Sequence, residues 1–472
     1  MAGHELKGKE SDQGKRKGTY MRKTNMTRRT FVGCAALAAL ATGCSAEEAS
    51  TDTATSGGAE AGGATAGAVT GTYDRFVQGD DWGCGVSVVT LALDAPLDVV
   101  DATTFAVSET KDATDWTDPE FAVTSVTNEL PVADAYVVED NVVNIEIAID
   151  PNTASPFNFS PITGRNTWTL YTMDIRLADG AAVTSDGKEV TSISIDPAWV
   201  NTTTSADMFA KDSFTAADGT TYDYAYYDAE GSDTLVVWLH GGGEGGAAGI
   251  ETDPSIVLLA NEAAVLGMDD FQKAVGGASV LVPQCPTFWM DNGHLTGTPV
   301  EIVMGADDQS LYTASLEELI DSFKEQVGAK KVVLVGCSNG GYMTLLLAKE
   351  RPDAYDVLVP ICGPLKEEYF TDDEIEAIKD KPIFMIWSKA DTTVDPTVFE
   401  LPLIERLEKA GATDLHTFNP DDVHDTSGRF TQPDSDDPYV YDGHWSWIYF
   451  FNDEAVDADG QGAWSFIAER VQ

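Results

Sequence analysis

Residues 331–350 read KVVLVGCSNGGYMTLLLAKE, and this stretch decides the fold of the second half of the chain. The run KVVLV has the apolar, β-branched composition of a buried strand, and GYMTLLLAKE carries apolar residues at helical spacing. Between them, residues 336–340 (GCSNG) form a GxSxG pattern in a strand–turn–helix context. Glycines permit a turn so sharp that side chains would collide with the strand and the helix. The stretch therefore predicts that Ser338 is a nucleophile presented at the end of a sheet.

Further apolar strands and amphipathic helices alternate on both sides of this stretch. Continuous Val/Leu/Ile strands that alternate with helices are typical of a parallel sheet covered on both faces. The predicted strands are TLVVWL, ASVLVP, KVVLV, DVLVPI and PIFMIW, and the predicted helices span 313–327, 341–350 and 399–411, after a hairpin-like stretch at 218–228. Residues 204–472 are therefore predicted to form an α/β catalytic domain.

Residues 71–203 have a different, all-β pattern. Short runs rich in Val, Thr, Ile and aromatic residues are separated by Asp, Asn, Pro and Gly clusters at turn-like spacing. Six or seven such strands predict an immunoglobulin-like sandwich. Its tryptophans, Trp82, Trp116 and Trp168, are candidates for a sugar-binding face, although aromatic residues in sandwiches more often belong to the core.

The N-terminal segment has the features of an export signal. Arg28-Arg29 precede a short, alanine-rich apolar run that ends in Ala41-Thr42-Gly43-Cys44. Residues 1–44 are thus predicted to be a twin-arginine signal with a lipoprotein cleavage box, and Cys44 is the predicted lipidation site. Cleavage by a general signal peptidase is the alternative. Residues 45–70 are rich in Ala, Gly, Ser and Thr and are predicted to be a flexible linker between the lipid anchor and the folded part of the chain. The protein is therefore expected outside the cytoplasmic membrane.

The charge of the chain excludes nucleic-acid binding. It has 29 Lys and Arg against 78 Asp and Glu, a formal net charge of −49, which repels polyanions. Four cysteines follow the signal (Cys84, Cys285, Cys337 and Cys362), and none is spaced for zinc. One disulfide among them is possible, but the sequence does not select a pair. No metal or cofactor is expected.

A serine nucleophile needs a base, and the base needs an acid that orients it. In this kind of fold the acid follows a later strand and the histidine follows the acid. Asp391 comes first after the strand PIFMIW and is the preferred acid, with Asp395 as the alternative. His444 precedes a helix-like run and is preferred as the base over His424, which lies in an acidic loop. A further histidine, His416, lies in a predicted strand, where a structural role is favoured.

The glycines after the strand TLVVWL predict an oxyanion hole. His240 and Gly241-Gly242-Gly243 follow this strand directly, in the HGGG pattern of lipases and esterases. The expected oxyanion donors are the backbone N–H groups of Gly241, Gly242 and Asn339, the residue after the nucleophile. Because His240 precedes the nucleophile, it is expected to be a structural hydrogen-bonding residue. A phosphate-binding loop is disfavoured, since no GK[ST] ending follows the glycines.

The motifs LHGGGEGG, PQCPTFWMDNG, GCSNGGYMT, ADTTVDP and GHWSWIYFFND together resemble a family of secreted bacterial α/β-hydrolase esterases. These proteins are often described as prolyl-oligopeptidase-like, and many carry an N-terminal immunoglobulin-like domain. The resemblance implies an α/β-hydrolase fold, with Ser338 as nucleophile, Asp391 as acid and His444 as base. It also implies that Trp289, Met290 and Asp291 lie near the substrate.

These observations favour an exported serine carboxylesterase that acts on a small-molecule or glycan ester. A serine peptidase of the prolyl-oligopeptidase type is less favoured. Its β-propeller would need repeats of about 40–50 residues, whereas the segment 71–203 is non-repeating and too short for a propeller. A surface binding lipoprotein is the third hypothesis, and the complete set of Ser, Asp, His and glycine loop argues against it. The sequence does not identify the natural ester, the acyl length, the oligomeric state or the role of the sandwich.

Overall fold

A computed structural model describes residues 67–247, 252–297 and 299–472. The predicted export signal 1–44, the lipidation site Cys44 and nearly all of the predicted linker 45–70 lie outside the described residues. Within the described residues, no helix is both long enough and apolar enough to cross a membrane.

The first part of the described chain consists of strands, as the sequence predicts, and is called the β region (Ala68–Thr204). Its strands are β1 Ala68–Asp80, β2 Gly83–Leu93, β3 Phe105–Thr114, β4 Val123–Leu130, β5 Val132–Glu139, β6 Val142–Ile147, β7 Phe157–Ser160, β8 Arg165–Trp168, β9 Tyr171–Leu177, β10 Thr184–Ser185, β11 Lys188–Glu189, β12 Ser192–Ile195 and β13 Thr202–Thr204. Nine of them form one sheet in the order β4-β3-β9-β12-β1-β2-β6-β5, with β13 also on β1. The immunoglobulin-like arrangement goes beyond this pattern and stays a prediction.

The first strand begins earlier than the sequence analysis expects. Ala68–Gly71 pair in parallel with Ser192–Ile195, so the last residues of the predicted linker belong to β1. The long strand then pairs with β2 along its other edge and with β13 near its end. The side chains of Val69, Tyr73 and Val77 are buried on one face of β1, which explains why the strand includes residues of the predicted linker.

The second part of the chain, which follows the β region, is an α/β structure. Its strands are β14 Ala210–Thr215, β15 Thr221–Tyr227, β16 Thr234–Leu239, β17 Ser279–Pro283, β18 Lys331–Cys337, β19 Val357–Ile361, β20 Ile383–Ile386 and β21 Leu415–Phe418. They form one sheet in the order β14-β15-β17-β16-β18-β19-β20-β21. The pairs β14–β15 and β15–β17 are antiparallel, whereas all the others are parallel. This is an α/β-hydrolase-like fold, as the sequence predicts.

Helices cover both faces of this sheet. They are α1 Pro254–Ala260, α2 Asp269–Val275, α3 Pro299–Gly305, α4 Thr313–Val327, α5 Asn339–Glu350, α6 Asp372–Ile378, α7 Glu400–Ala410, α8 Trp447–Phe451 and α9 Ala463–Val471, with 3₁₀ turns at Gly242–Glu244, Ala263–Gly267, Pro352–Ala354 and Glu367–Tyr369. Helix α4 has the predicted bounds 313–327. It buries Leu316, Leu319 and Phe323 at helical spacing and ends at Gly328, whose positive φ of 71° suits a glycine cap.

Alternate side chains of the central strands enter two different hydrophobic cores. Leu235 and Val237 of β16 lie in the core beneath α4 and α5, whereas Val236 and Trp238 lie in the core beneath α8 and α9. The second of these cores is continuous with the interior of the β region. The β region and the α/β part therefore share buried apolar surface and belong to one compact unit.

The turn between β18 and α5 depends on glycines that touch neighbouring backbone. A Cβ atom on Gly340 would collide with the carbonyl oxygen of Leu239 at the end of β16, and one on Gly341 would lie 2.6 Å from the carbonyl oxygen of Ile361. No side chain, however small, fits at these contacts without movement of the backbone. The glycines thus allow α5 to begin directly against the ends of β16 and β19.

We predict that Gly340→Ala destabilises the protein by about 3 kcal/mol or more, because the new methyl group meets rigid backbone rather than a mobile side chain. Urea unfolding followed by circular dichroism measures the change. Gly462→Ala is the matched control, since a Cβ there has its nearest neighbour at 3.5 Å and meets only side-chain atoms. Equal stability of the two variants would contradict this account of the turn.

Candidate active site

Ser338 lies on the sharp turn that the GxSxG pattern predicts. Its backbone angles are φ 52° and ψ −116°, a conformation that is strained for any residue with a side chain. Its N–H donates to Ile361 O at 2.8 Å, and its carbonyl accepts the first hydrogen bond of α5 from Tyr342 N at 2.9 Å. The hydrogen bonds of its N–H and carbonyl groups hold the strained turn, so the hydroxyl group is presented at the carboxyl end of β18.

The structure brings Ser338, His444 and Asp391 into one chain of hydrogen bonds. Ser338 Oγ lies 2.9 Å from His444 Nε2, and His444 Nδ1 lies 2.7 Å from Asp391 Oδ2. The residues follow β18, β21 and β20, which are parallel strands of one sheet, so all three lie at its carboxyl edge. An imidazole in this position can accept the proton of the serine hydroxyl while the carboxylate fixes its tautomer.

The Asp391 carboxylate is buried, and both of its oxygens have hydrogen-bond partners. Its second oxygen, Oδ1, accepts the backbone N–H groups of Thr393 and Val394, each at 2.8 Å. Gly443 lets the histidine loop reach this acid, because a Cβ there would collide with the carbonyl group of Ala390. The backbone thus orients the acid, and the acid orients the imidazole of His444.

The environment of His444 sets its charge. Burial lowers the pKa of the imidazole, but the neighbouring Cys362 sulfur and the Asp391 carboxylate outweigh burial and hold the pKa well above its usual value. The Cys362 thiol donates to the carbonyl oxygen of His444 at 3.5 Å, and burial raises the pKa of that thiol to about 11. The imidazole is therefore stabilised in its protonated form, which is the form that arises when it takes a proton from Ser338.

The alternative acid and bases lie elsewhere. Asp395 is exposed and accepts from the N–H and hydroxyl groups of Thr397, so it closes a turn. His424 pairs with Asp422 at 2.7 Å in a partly exposed loop. His416 lies on β21 and pairs with Asp457 at 2.6 Å, away from Ser338.

The glycine loop after β16 is fixed by His240. This histidine is fully buried, its Nε2 accepts the N–H of Cys285 at 2.9 Å, and its Nδ1 lies 2.6 Å from Gly241 O. Nδ1 therefore carries the proton and donates to Gly241. Burial lowers the pKa of the ring to about 3, so it stays neutral. His240 has the structural hydrogen-bonding contacts that the sequence predicts.

The predicted oxyanion donors differ in their surroundings. A Cβ atom on Gly241 would lie 3.6 Å from the Cys337 sulfur, so Gly241 packs against this buried thiol. In the described part of the chain, the N–H groups of Gly242 and Asn339 donate to no other protein group. Both stand at the start of a helical turn, where donors are unsatisfied. These two amides are the better candidates for binding an oxyanion.

The residues implied to lie near the substrate are mostly buried. Trp289 is 0% exposed and packs 5.1 Å from the ring of His240, so it supports the glycine loop and offers no surface to a substrate. Met290 is also buried, and its N–H donates to Asn339 Oδ1 at 3.2 Å. Asp291 accepts the Thr287 hydroxyl at 2.7 Å. The Trp289 and Met290 side chains pack inward, and the proximity of Trp289, Met290 and Asp291 to the substrate that the resemblance implies stays a prediction.

Two residues lie near the site although no sequence pattern indicates it. Cys362 has a positive φ of 40°, and its thiol, Asp391 and His444 have ligand atoms within 4.8 Å of one another. The hydrogen bonds that join both ring nitrogens of His444 to protein groups compete with any metal. Arg165 reaches the glycine loop from the β region. The four described cysteines are all free and buried.

Comparisons with known proteins agree with this fold. A model of the prolyl oligopeptidase family matches residues 304–379, which include Ser338, and no curated protein matches the chain in sequence. The crystal structure of a thermostable esterase is 18% identical, with a TM-score of 0.62, and the match covers 81% of this chain and 96% of that chain. This likeness shows that the two chains share a fold.

Two further structures are more distant. A ferulic acid esterase is 12% identical, with 45% of this chain and 90% of that chain covered and a TM-score of 0.34. Brefeldin A esterase, described as a bacterial homologue of human hormone sensitive lipase, is 16% identical, with 56% and 77% covered and a TM-score of 0.32.

Proposed function

We propose that this chain is a serine hydrolase that cleaves carboxylic esters through an acyl-enzyme. The observation that carries the proposal is the hydrogen-bond chain from Ser338 Oγ through His444 to Asp391, built on a strained turn at the end of a sheet. The match of residues 304–379 to the prolyl oligopeptidase family supports the serine hydrolase class. A merely structural serine would need neither the strained backbone nor a buried, acid-paired histidine.

In the first half of the reaction, Ser338 Oγ attacks the carbonyl carbon of the ester. His444 Nε2 accepts the hydroxyl proton, and the Asp391 carboxylate stabilises the resulting imidazolium. The carbonyl oxygen becomes an oxyanion that the N–H groups of Gly242 and Asn339 stabilise, a contribution of about 3–4 kcal/mol per donor. The tetrahedral intermediate collapses, and the alcohol leaves with the proton from His444.

In the second half, water replaces the alcohol. His444 Nε2 accepts a proton from the water molecule as its oxygen attacks the acyl carbon on Ser338. The same two amides stabilise the second oxyanion, and His444 returns the proton to Ser338 Oγ as the acid leaves. Each proton that His444 accepts is returned, so the free enzyme is regenerated.

The family match also makes a serine peptidase a second candidate. Peptidases of the prolyl-oligopeptidase type gate their site with a β-propeller, which is built from several four-stranded blades around a channel. The described β region is instead a single nine-stranded sheet with two small hairpins. An esterase is therefore the better proposal.

The proposed location is outside the cytoplasmic membrane. Arg28-Arg29, the apolar run after them and Cys44 support export and anchoring through a lipid on Cys44, with residues 45–66 as a tether. The turn-separated strands of the β region support the proposal that this part of the chain is an immunoglobulin-like sandwich.

We predict that Ser338→Ala lowers ester turnover at least about a thousandfold, because it removes the nucleophile. Hydrolysis of p-nitrophenyl acetate, butyrate and octanoate, beside a prolyl p-nitroanilide, measures this. Ser213→Ala, an exposed position on β14, is the matched control and keeps full activity. Ser338-dependent cleavage of the anilide alone would favour the peptidase, and no Ser338-dependent turnover of any substrate would contradict the proposal.

We also predict that kcat/KM for the acetate rises with pH through a pKa above 6.5, because catalysis needs neutral His444 and the site favours its protonated form. In Asp391→Asn the charge that raises this pKa is gone, so the acid limb of the pH profile moves to lower pH. The rate also falls by about 10⁴-fold, since the imidazole loses its orienting acid. An unshifted acid limb in this variant would argue against His444 as the base.

A further inference from the structure

The β region reaches the candidate active site through Arg165. This residue begins β8, in the hairpin β7–β8, and only 9% of it is exposed. Its guanidinium group donates four hydrogen bonds to backbone carbonyl oxygens. Nε donates to Gly246 at 2.9 Å, Nη1 donates to Gly242 at 2.8 Å and to Gly164 at 3.0 Å, and Nη2 donates to Thr287 at 3.0 Å.

These hydrogen bonds fix the backbone of the glycine loop, whose glycines have no side chains of their own that could do so. Glycine gives a backbone more freedom than other residues do, so a loop of successive glycines needs external hydrogen bonds to hold one conformation. Arg165 holds the carbonyl groups of Gly242 and Gly246 and ties them to Thr287 on the neighbouring segment. The next residue, Asn166, adds a longer contact of 3.5 Å to the buried Glu244 of the same loop.

We propose that Arg165 is a positioning residue for oxyanion binding, so that the β region completes the active site of the α/β part. This inference rests on the proposed function. A planar fork of donors can grip several carbonyl groups at fixed angles, which the single ammonium group of a lysine cannot do. The stabilised oxyanion exists only in the transition state, so disorder in the loop lowers kcat rather than raising KM.

Arg165→Met and Arg165→Lys test the proposal in the full chain. With p-nitrophenyl acetate, kcat is expected to fall by about 10²–10³-fold in Arg165→Met and by less in Arg165→Lys, with KM within about threefold of wild type. Inhibition by a trifluoromethyl ketone, which forms a tetrahedral adduct with the serine, should weaken by the same factor as kcat/KM. The control is Arg176→Met, an exposed arginine of β9.

The outcomes separate this inference from the proposed function. Ser338-dependent turnover in wild type, with unchanged kcat in Arg165→Met, would overturn the role of Arg165 and leave the esterase intact. A lower unfolding midpoint with normal kcat in both folded variants would assign Arg165 to stability alone and would also overturn it. If Arg165→Met does not fold, Arg165→Lys carries the same comparison of kcat, KM and inhibitor affinity.

A second feature is an aromatic cluster that joins the same hairpin, through Phe159, to the segment between β3 and β4. Trp116 is 62% exposed and lies parallel to Phe159 of β7, with ring centroids 6.3 Å apart, and Phe121 packs edge-on against Trp116 at 5.9 Å. Phe159 borders the glycine loop, because its ring lies 3.8 Å from the position of a Cβ atom on Gly243. The cluster is thus continuous with the site.

We infer that this aromatic cluster (Trp116, Phe121 and Phe159) binds the uncharged apolar part of the ester. The inference rests on the proposed function and on the contact of Phe159 with the loop. The exposed ring of Trp116 offers apolar surface, and the neighbouring Asp115 and Asp118 disfavour an anionic group. Because Phe159 borders Gly243, which follows the proposed oxyanion donor Gly242, an apolar group that lies along the glycine loop would meet these rings.

Trp116→Ala tests the cluster with p-nitrophenyl acetate, octanoate and cinnamate. We expect KM for octanoate, cinnamate or both to rise about tenfold, the value of one lost ring contact, with kcat/KM for acetate unchanged within about twofold. Which of the two esters responds tells an alkyl group from an aryl group. Val99→Ala, which is 76% exposed in the same region, is the control. An equal effect on acetate, or no effect on either larger ester, would overturn this inference while Ser338-dependent turnover stands.

Discussion

The close packing of three backbone segments around the β18–α5 turn determines the geometry of the whole site. Gly340 lies against the end of β16, and Gly341 lies against the end of β19, so α5 starts where no side chain fits. This packing forces Ser338 into a positive-φ conformation that costs on the order of 1–3 kcal/mol and that the surrounding sheet must sustain. The same contact sets the glycine loop, which follows β16, close to Asn339.

The electrostatics of the site follow from this arrangement. Asp391 and His444 meet on loops that approach as closely as Gly443 allows, and the backbone amides on Asp391 Oδ1 leave its other oxygen to the imidazole. Burial and hydrogen-bond partners give the two histidines near Ser338 different protonation states. His240 has only neutral backbone partners and stays uncharged, whereas His444 has a carboxylate and gains basicity. Only His444 is suited to accept and return a proton near neutral pH.

The preference for Asp391 and His444 came from the order of acid and histidine expected in this kind of fold, whereas local pattern was sufficient to predict the helix 313–327 and the strand before Ser338. Each depends on periodicity or on turn residues that neighbours in sequence supply. The early start of β1 was missed because it depends on pairing with Ser192–Ile195, far along the chain. The burial of Trp289 and the reach of Arg165 are tertiary contacts between distant segments, which no local pattern encodes. The glycine loop was visible in the sequence, but the residue that holds its backbone was not.

The central claim is that the strained Ser338 is a nucleophile activated by His444. The most direct measurement is to treat the protein with a fluorophosphonate, digest it and locate the adduct by mass spectrometry. The account predicts a single phosphonylated residue, Ser338, in wild type and very slow modification in His444→Ala, because the hydroxyl group then lacks its base. An adduct on another residue, or equally fast modification of Ser338 in His444→Ala, would contradict it.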